Sequence, residues 1–112
     1  MSARDPYELW IKAAELGFRR HSSNYYYLIR KYTRRAGYSV TPKQRYFNGS
    51  WSSGRAEKFK TWEEVLDYLE NDALYHVSRE EVLAQLLAED KYTRMAFSSE
   101  IRHLQRQLGV IP

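Results

Sequence analysis

The chain contains no cysteine, which removes disulfides, thiolate zinc sites and a cysteine nucleophile and makes a reducing compartment the natural expectation. It also lacks any apolar run near the ~18 residues needed to span a bilayer, and residues 1–6 carry no signal-peptide apolar core. An intracellular protein with no membrane partner is therefore expected. Low-complexity stretches and internal repeats are missing too, so residues 1–112 are expected to form a single domain.

Signs of catalysis are equally scarce. There is no phosphate loop, nucleophile elbow or dinucleotide fingerprint. His21, His76 and His103 show no metal-ligand spacing with one another. Glu63, Asp67 and Glu70 fall in a row that suits a solvated helix face. Glu89-Asp90-Lys91 has the acidic-lysine order of some metal-dependent nucleases, but without a supporting acidic residue on a strand. The expectation is a non-enzymatic protein with no catalytic residue, metal or cofactor.

What the chain does have is a division of charge. Residues 1–60 carry thirteen Lys/Arg against four Asp/Glu, a net +9, whereas residues 61–112 carry five against ten, a net −5. Twelve of the seventeen aromatic residues lie in the basic part. Arg and Lys interleaved with Tyr and Trp suit a polyanion with flat bases, because the cations displace counterions from phosphates and the rings stack. Nucleic acid is the expected partner, DNA ahead of RNA.

Two helices are expected at the N-terminus. Asp5 can cap the first, Pro6 fits its first position, Leu9, Ala13 and Leu16 recur at helical spacing, and Gly17 can end it. Tyr25, Leu28, Ile29, Tyr32 and Ala36 form a second apolar stripe, which leaves Asn24, Tyr27, Arg30, Lys31, Arg34 and Arg35 outward. Residues 6–36 thus resemble a helix-turn-helix motif, with a break about two residues longer than the usual turn. That resemblance implies base contacts from Asn24 and Tyr27, phosphate contacts from Arg30, Lys31 and Arg34, a phosphate at the cap residues Ser22 and Ser23, and Arg19 and Arg20 on the approach to the same backbone, with Arg35 a further outward binding candidate.

Residues 38–60 read as a small β-hairpin or loop around the Asn48-Gly49 turn signal. Here Lys43, Arg45, Arg55, Lys58 and Lys60 surround Tyr46, Phe47 and Trp51, and Trp51, flanked by serines, is expected on a binding surface or folded back on the core. The acidic half reads as three helices. Capping boxes start two of them, at Thr61–Glu64 and Ser78–Glu81, and the third begins at Ser98 or Ser99 and stops at Gly109.

The order of Gly17-Phe18-Arg19-Arg20, the tyrosine cluster and the segment from Phe59 to Leu69 is similar to that of methyl-CpG-binding-type domains. The paired arginines with an intervening aspartate that read the methylated site in that family are not evident, so the resemblance implies DNA and nothing about methylation. The sequence therefore predicts a mainly α fold, with α+β as the alternative, of about five helices. It would act as a DNA-binding regulator through the basic helix 23–36 and the basic loop 43–60. The rival expectation is a protein-interaction module or inhibitor that binds an acidic protein surface, with the C-terminal helices joining a homodimer or a protein partner.

Overall fold

The structure, a computed structural model, describes residues 5–18 and 21–110. It overturns the mainly α expectation: five strands precede four helices, and the first two segments expected as helices are the longest strands. The strands are β1 (Tyr7–Phe18), β2 (His21–Lys31), β3 (Tyr38–Tyr46), β4 (Trp51–Ser53) and β5 (Glu57–Phe59). They form one antiparallel sheet in the order β1-β2-β3-β4, and β5 also pairs with β3.

The chain divides into two compact units, residues 1–65 and 66–112. In the first unit the register places Leu9 opposite Ile29, Ile11 opposite Tyr27, and Ile29 opposite Val40. These five residues share one face and are at most 2% exposed. At about 1.5–3 kcal/mol for each large apolar side chain removed from water, this face is a main source of stability for the unit.

Strand won over helix here for a local reason. Glu8-Leu9-Trp10-Ile11-Lys12 alternates strictly, as a strand with one buried face must. Between Lys12 and Ala14 the register slips by one residue, a β-bulge that leaves Ala13 without its own partner on β2. The slip turns a period of two into the spacing Leu9, Ala13, Leu16, which imitates a helix. Asp5 caps nothing: its Oδ1 accepts a hydrogen bond from the Thr33 N–H at 2.8 Å, tying the start of the chain to the turn after β2. Gly17 lies within β1, opposite Ser22.

The hairpin expected at Asn48-Gly49 forms, with a longer loop than the two-residue signal implies. Tyr46 N–H donates to Ser50 O at 2.9 Å, and the Asn48 side chain accepts from Ser50 N–H at 3.0 Å. After β4 the chain crosses Pro42, whose carbonyl accepts from Gly54 N–H at 2.8 Å. A Cβ on Gly54 would sit 2.5 Å from Pro42 Cγ, so only glycine allows this crossing. It separates the stretch of β3 that pairs with β4 from the stretch that pairs with β5.

Helix α1 (Trp62–Asp67) starts with the expected capping box. Thr61 Oγ1 accepts from Glu64 N–H at 3.2 Å, and Glu64 Oε1 accepts from Thr61 N–H at 3.1 Å. Trp62 is buried, with its ring 5.6 Å from that of Tyr38.

In the second unit, α1 continues into a π-helical turn (Tyr68–Asp72), followed by α2 (Arg79–Leu87), α3 (Lys91–Ala96) and α4 (Ser98–Gln107). Ser78 Oγ caps α2 by accepting from Glu81 N–H at 3.2 Å, and Gly109 follows α4 at φ +69°. The short α3, which the sequence pattern did not announce, is capped by Asp90, whose Oδ1 accepts from Thr93 N–H at 2.8 Å. Leu69, Val82, Leu86, Phe97 and Leu104 are fully buried. Arg79 joins three elements, donating to Asp67 Oδ1 at 2.8 Å, Glu70 Oε1 at 3.3 Å and Gln107 Oε1 at 3.2 Å.

Candidate nucleic-acid interface

Because side chains alternate across a strand, the face opposite the buried row carries Trp10 and Lys12 of β1, Tyr26 and Leu28 of β2, and Thr41, Lys43 and Arg45 of β3. Trp51 of β4 is in register with Arg45 and joins them. The register gathers three rings from three strands. The Trp10 and Trp51 centroids lie 5.3 Å apart, Tyr26 and Trp51 5.7 Å, and Trp10 and Tyr26 6.1 Å. Offset and edge-to-face arrangements of this kind contribute about 0.5–1.5 kcal/mol per pair beyond burial, so the cluster holds its shape. Trp10 and Trp51 nevertheless stay 39% and 46% exposed.

Cations overlie the rings. Lys43 Nζ is 5.9 Å from the Trp10 centroid and donates to Ser53 Oγ at 2.8 Å, while Arg45 Cζ is 5.5 Å from the Trp51 centroid. The side chain of Asn24, in register with Arg45, has its Oδ1 buried with no hydrogen-bond partner among the described residues. Further along the same face Arg30 Nε donates to Glu8 Oε2 at 2.9 Å, and Lys12 pairs with Glu15 at 3.1 Å. Leu28 and Thr41, in register with Trp10 and almost fully buried, form the floor beside the rings.

The helix-turn-helix reading does not survive this arrangement, because segment 23–36 is a strand followed by a turn and presents no groove-reading helix. Tyr27, expected to face a base, is 2% exposed on the core face. Ser23 and Asn24 begin the stretch of β2 paired with β3, and Lys31 ends β2 opposite Tyr38. Arg34 and Arg35 are exposed in the turn after β2, and Arg30 is ion-paired. Arg19 and Arg20 lie outside the described residues.

Lys43, Arg45 and Trp51 come together as one group, while Arg55 and Lys58 are exposed on and before β5. Sequence reasoning missed Trp10, Tyr26 and Lys12 as members of the face. The signal that could have found them is the alternation of Glu8, Trp10 and Lys12 with Leu9 and Ile11.

Among the described residues no group of three or more metal-ligating side chains occurs, and no helix is long and apolar enough to cross a membrane. Comparison of the chain with protein-family models, curated proteins and solved structures returns no match.

Proposed function

We propose that this protein binds single-stranded nucleic acid on the outer face of its sheet. The observation that carries the reading is the half-exposed ring cluster of Trp10, Tyr26 and Trp51 with Lys43 and Arg45 laid over it. Rings on a sheet accept the faces of unstacked bases, and adjacent cations track the phosphates; such stacking is worth about 1–3 kcal/mol per base and tolerates any sequence. A duplex hides those base faces, so single strands are favoured. The preference for DNA over RNA drew mainly on the helix-turn-helix pattern, and the proposed face takes single strands of either kind.

Fluorescence anisotropy of labelled single-stranded and duplex oligonucleotides across a salt series tests the proposal. Salt-dependent binding that favours the single strand, with quenching of tryptophan emission, is the expected result. No binding at low salt would sink the reading and leave an acidic protein surface as the partner to pursue.

A further inference from the structure

At the end of the sheet away from Trp51, the turn after β2 and the end of β5 enclose a cleft of about 310 Å³. Its lining holds three cations, Arg35, Lys58 and Lys60, and no carboxylate. Of its aromatic residues, Tyr32 stands with the cations, whereas Tyr38 and Phe59, in register with each other and two residues from Val40 and Glu57, alternate to the core face, where the Tyr38 ring packs against Trp62. Among the described residues, none of these three cations enters an ion pair. Like charges gathered without a counterion raise the local potential and favour an anion.

The backbone is shaped around the same space. Gly37, in the wall, adopts φ +133°, a conformation that side chains rarely take, and a Cβ there would come 3.1 Å from Phe59 O. Arg35 Cζ sits 5.1 Å from the Tyr32 centroid, so the guanidinium is already held against one ring. Tyr32 Oη lies 3.3 Å from Ser39 Oγ, and Lys58 is in register with Ser39, which puts both on the face that carries the ring cluster. Ser39 to Lys43 is about 13 Å along the strand, so the cleft and the cluster are separate places on one face.

We propose that the cleft is a second site, for one nucleoside phosphate, with its base beside Tyr32 and its phosphate among Arg35, Lys58 and Lys60. Its volume lies at the small end of ligand pockets, enough for a single nucleotide. Charge-assisted hydrogen bonds to phosphate supply the affinity, and the Tyr32 ring favours a flat group. A free mononucleotide and the terminal nucleotide of a bound strand present the same chemistry. The site stands whether or not strands bind at Trp51.

The test is an amide-resolved NMR titration of the full chain with adenosine 5′-monophosphate, and with adenosine in parallel. The nucleotide is expected to shift the amides of Gly37, Lys58, Phe59 and Lys60, with adenosine about tenfold weaker or worse. Replacing both Arg35→Gln and Lys58→Gln should weaken the nucleotide at least about tenfold, with an unchanged melting midpoint because both residues are exposed. Trp51→Ala should leave these shifts in place.

No shift at the cleft amides, or shifts undiminished in the double variant, would overturn the proposal. A 5′-phosphorylated oligonucleotide that binds several-fold tighter than its 5′-hydroxyl form would make the strand end the occupant; equal binding of the two, with the mononucleotide shifts intact, would make it the free nucleotide. If strand binding fails while those shifts persist, the sheet-face reading falls and the cleft remains.

Discussion

Trp51 and Tyr27 are both aromatic residues of one sheet, yet their surroundings demand opposite behaviour. Trp51 is 46% exposed beside Trp10 and Arg45, so Trp51→Ala should weaken single-strand binding by about 1–2 kcal/mol, roughly 5- to 30-fold by anisotropy, with little change in the urea midpoint. Tyr27 is 2% exposed, so Tyr27→Ala should cost about 3–5 kcal/mol in urea denaturation and alter binding only through the loss of folded protein. Asp90 is read by its titration. The Thr93 backbone N–H, and after it the Thr93 hydroxyl, hold its carboxyl below the usual aspartate value of 3.8. A depressed folded-state pKa stabilises the fold above that usual value, and the contribution disappears as pH falls through the folded-state pKa. Carboxyl NMR should place the Asp90 midpoint below 3.8. The stability gap between the protein and Asp90→Ala should narrow as pH is lowered past it.

At the scale of elements, the helical half was legible because its start signals are local. Thr61 with Glu64 and Ser78 with Glu81 are three residues apart, and the hydrogen bonds they make involve nothing distant. Thr61→Ala should therefore cost about 1 kcal/mol of stability, measured by thermal unfolding. Strands β1 and β2 were illegible for the complementary reason. Leu28 and Ile29 are both buried on opposite faces of β2, which erases the polar–apolar alternation, and the extra residue at Ala13 shifts the phase of β1 midway. Three strands contribute the ring cluster, so only pairing reveals it: Trp51 was visible as a tryptophan in a serine-rich stretch, whereas Trp10 and Tyr26 lie in segments read at the wrong period. The crossing at Pro42 is where β4 is most vulnerable. Gly54→Ala brings a methyl against a rigid ring and should cost about 1–3 kcal/mol, read by denaturation together with a change in Trp51 emission as β4 moves off β3.

Over the whole molecule the division of charge follows the division of structure. Residues 1–65 carry thirteen cations against six carboxylates, and residues 66–112 carry five against eight. Residue counts thus point to the same part of the chain as the ring cluster even where its secondary structure was misread, since charge survives an error of period. With about four phosphates engaged on the sheet, the log–log dependence of single-strand affinity on salt should have a slope near −3, shallower than a duplex binder with the same contacts. Exchanging Lys43 and Arg45 for Gln should reduce that slope by about one unit, and a slope unchanged by the exchange would detach these residues from binding.

The bulge at Ala13 has a consequence for the company this protein keeps. β1 ends the strand order, so twelve residues of backbone form an outer rim of the sheet, the kind of long edge on which a neighbouring molecule can add its own strand and begin a fibre. A regular rim of that length would be an aggregation hazard. The extra residue kinks it at the middle, and the charged pair Lys12 and Glu15 brackets the kink, so no docking strand can stay in register across the whole length. The irregularity that made β1 look helical in the sequence is also what keeps one molecule from templating the next.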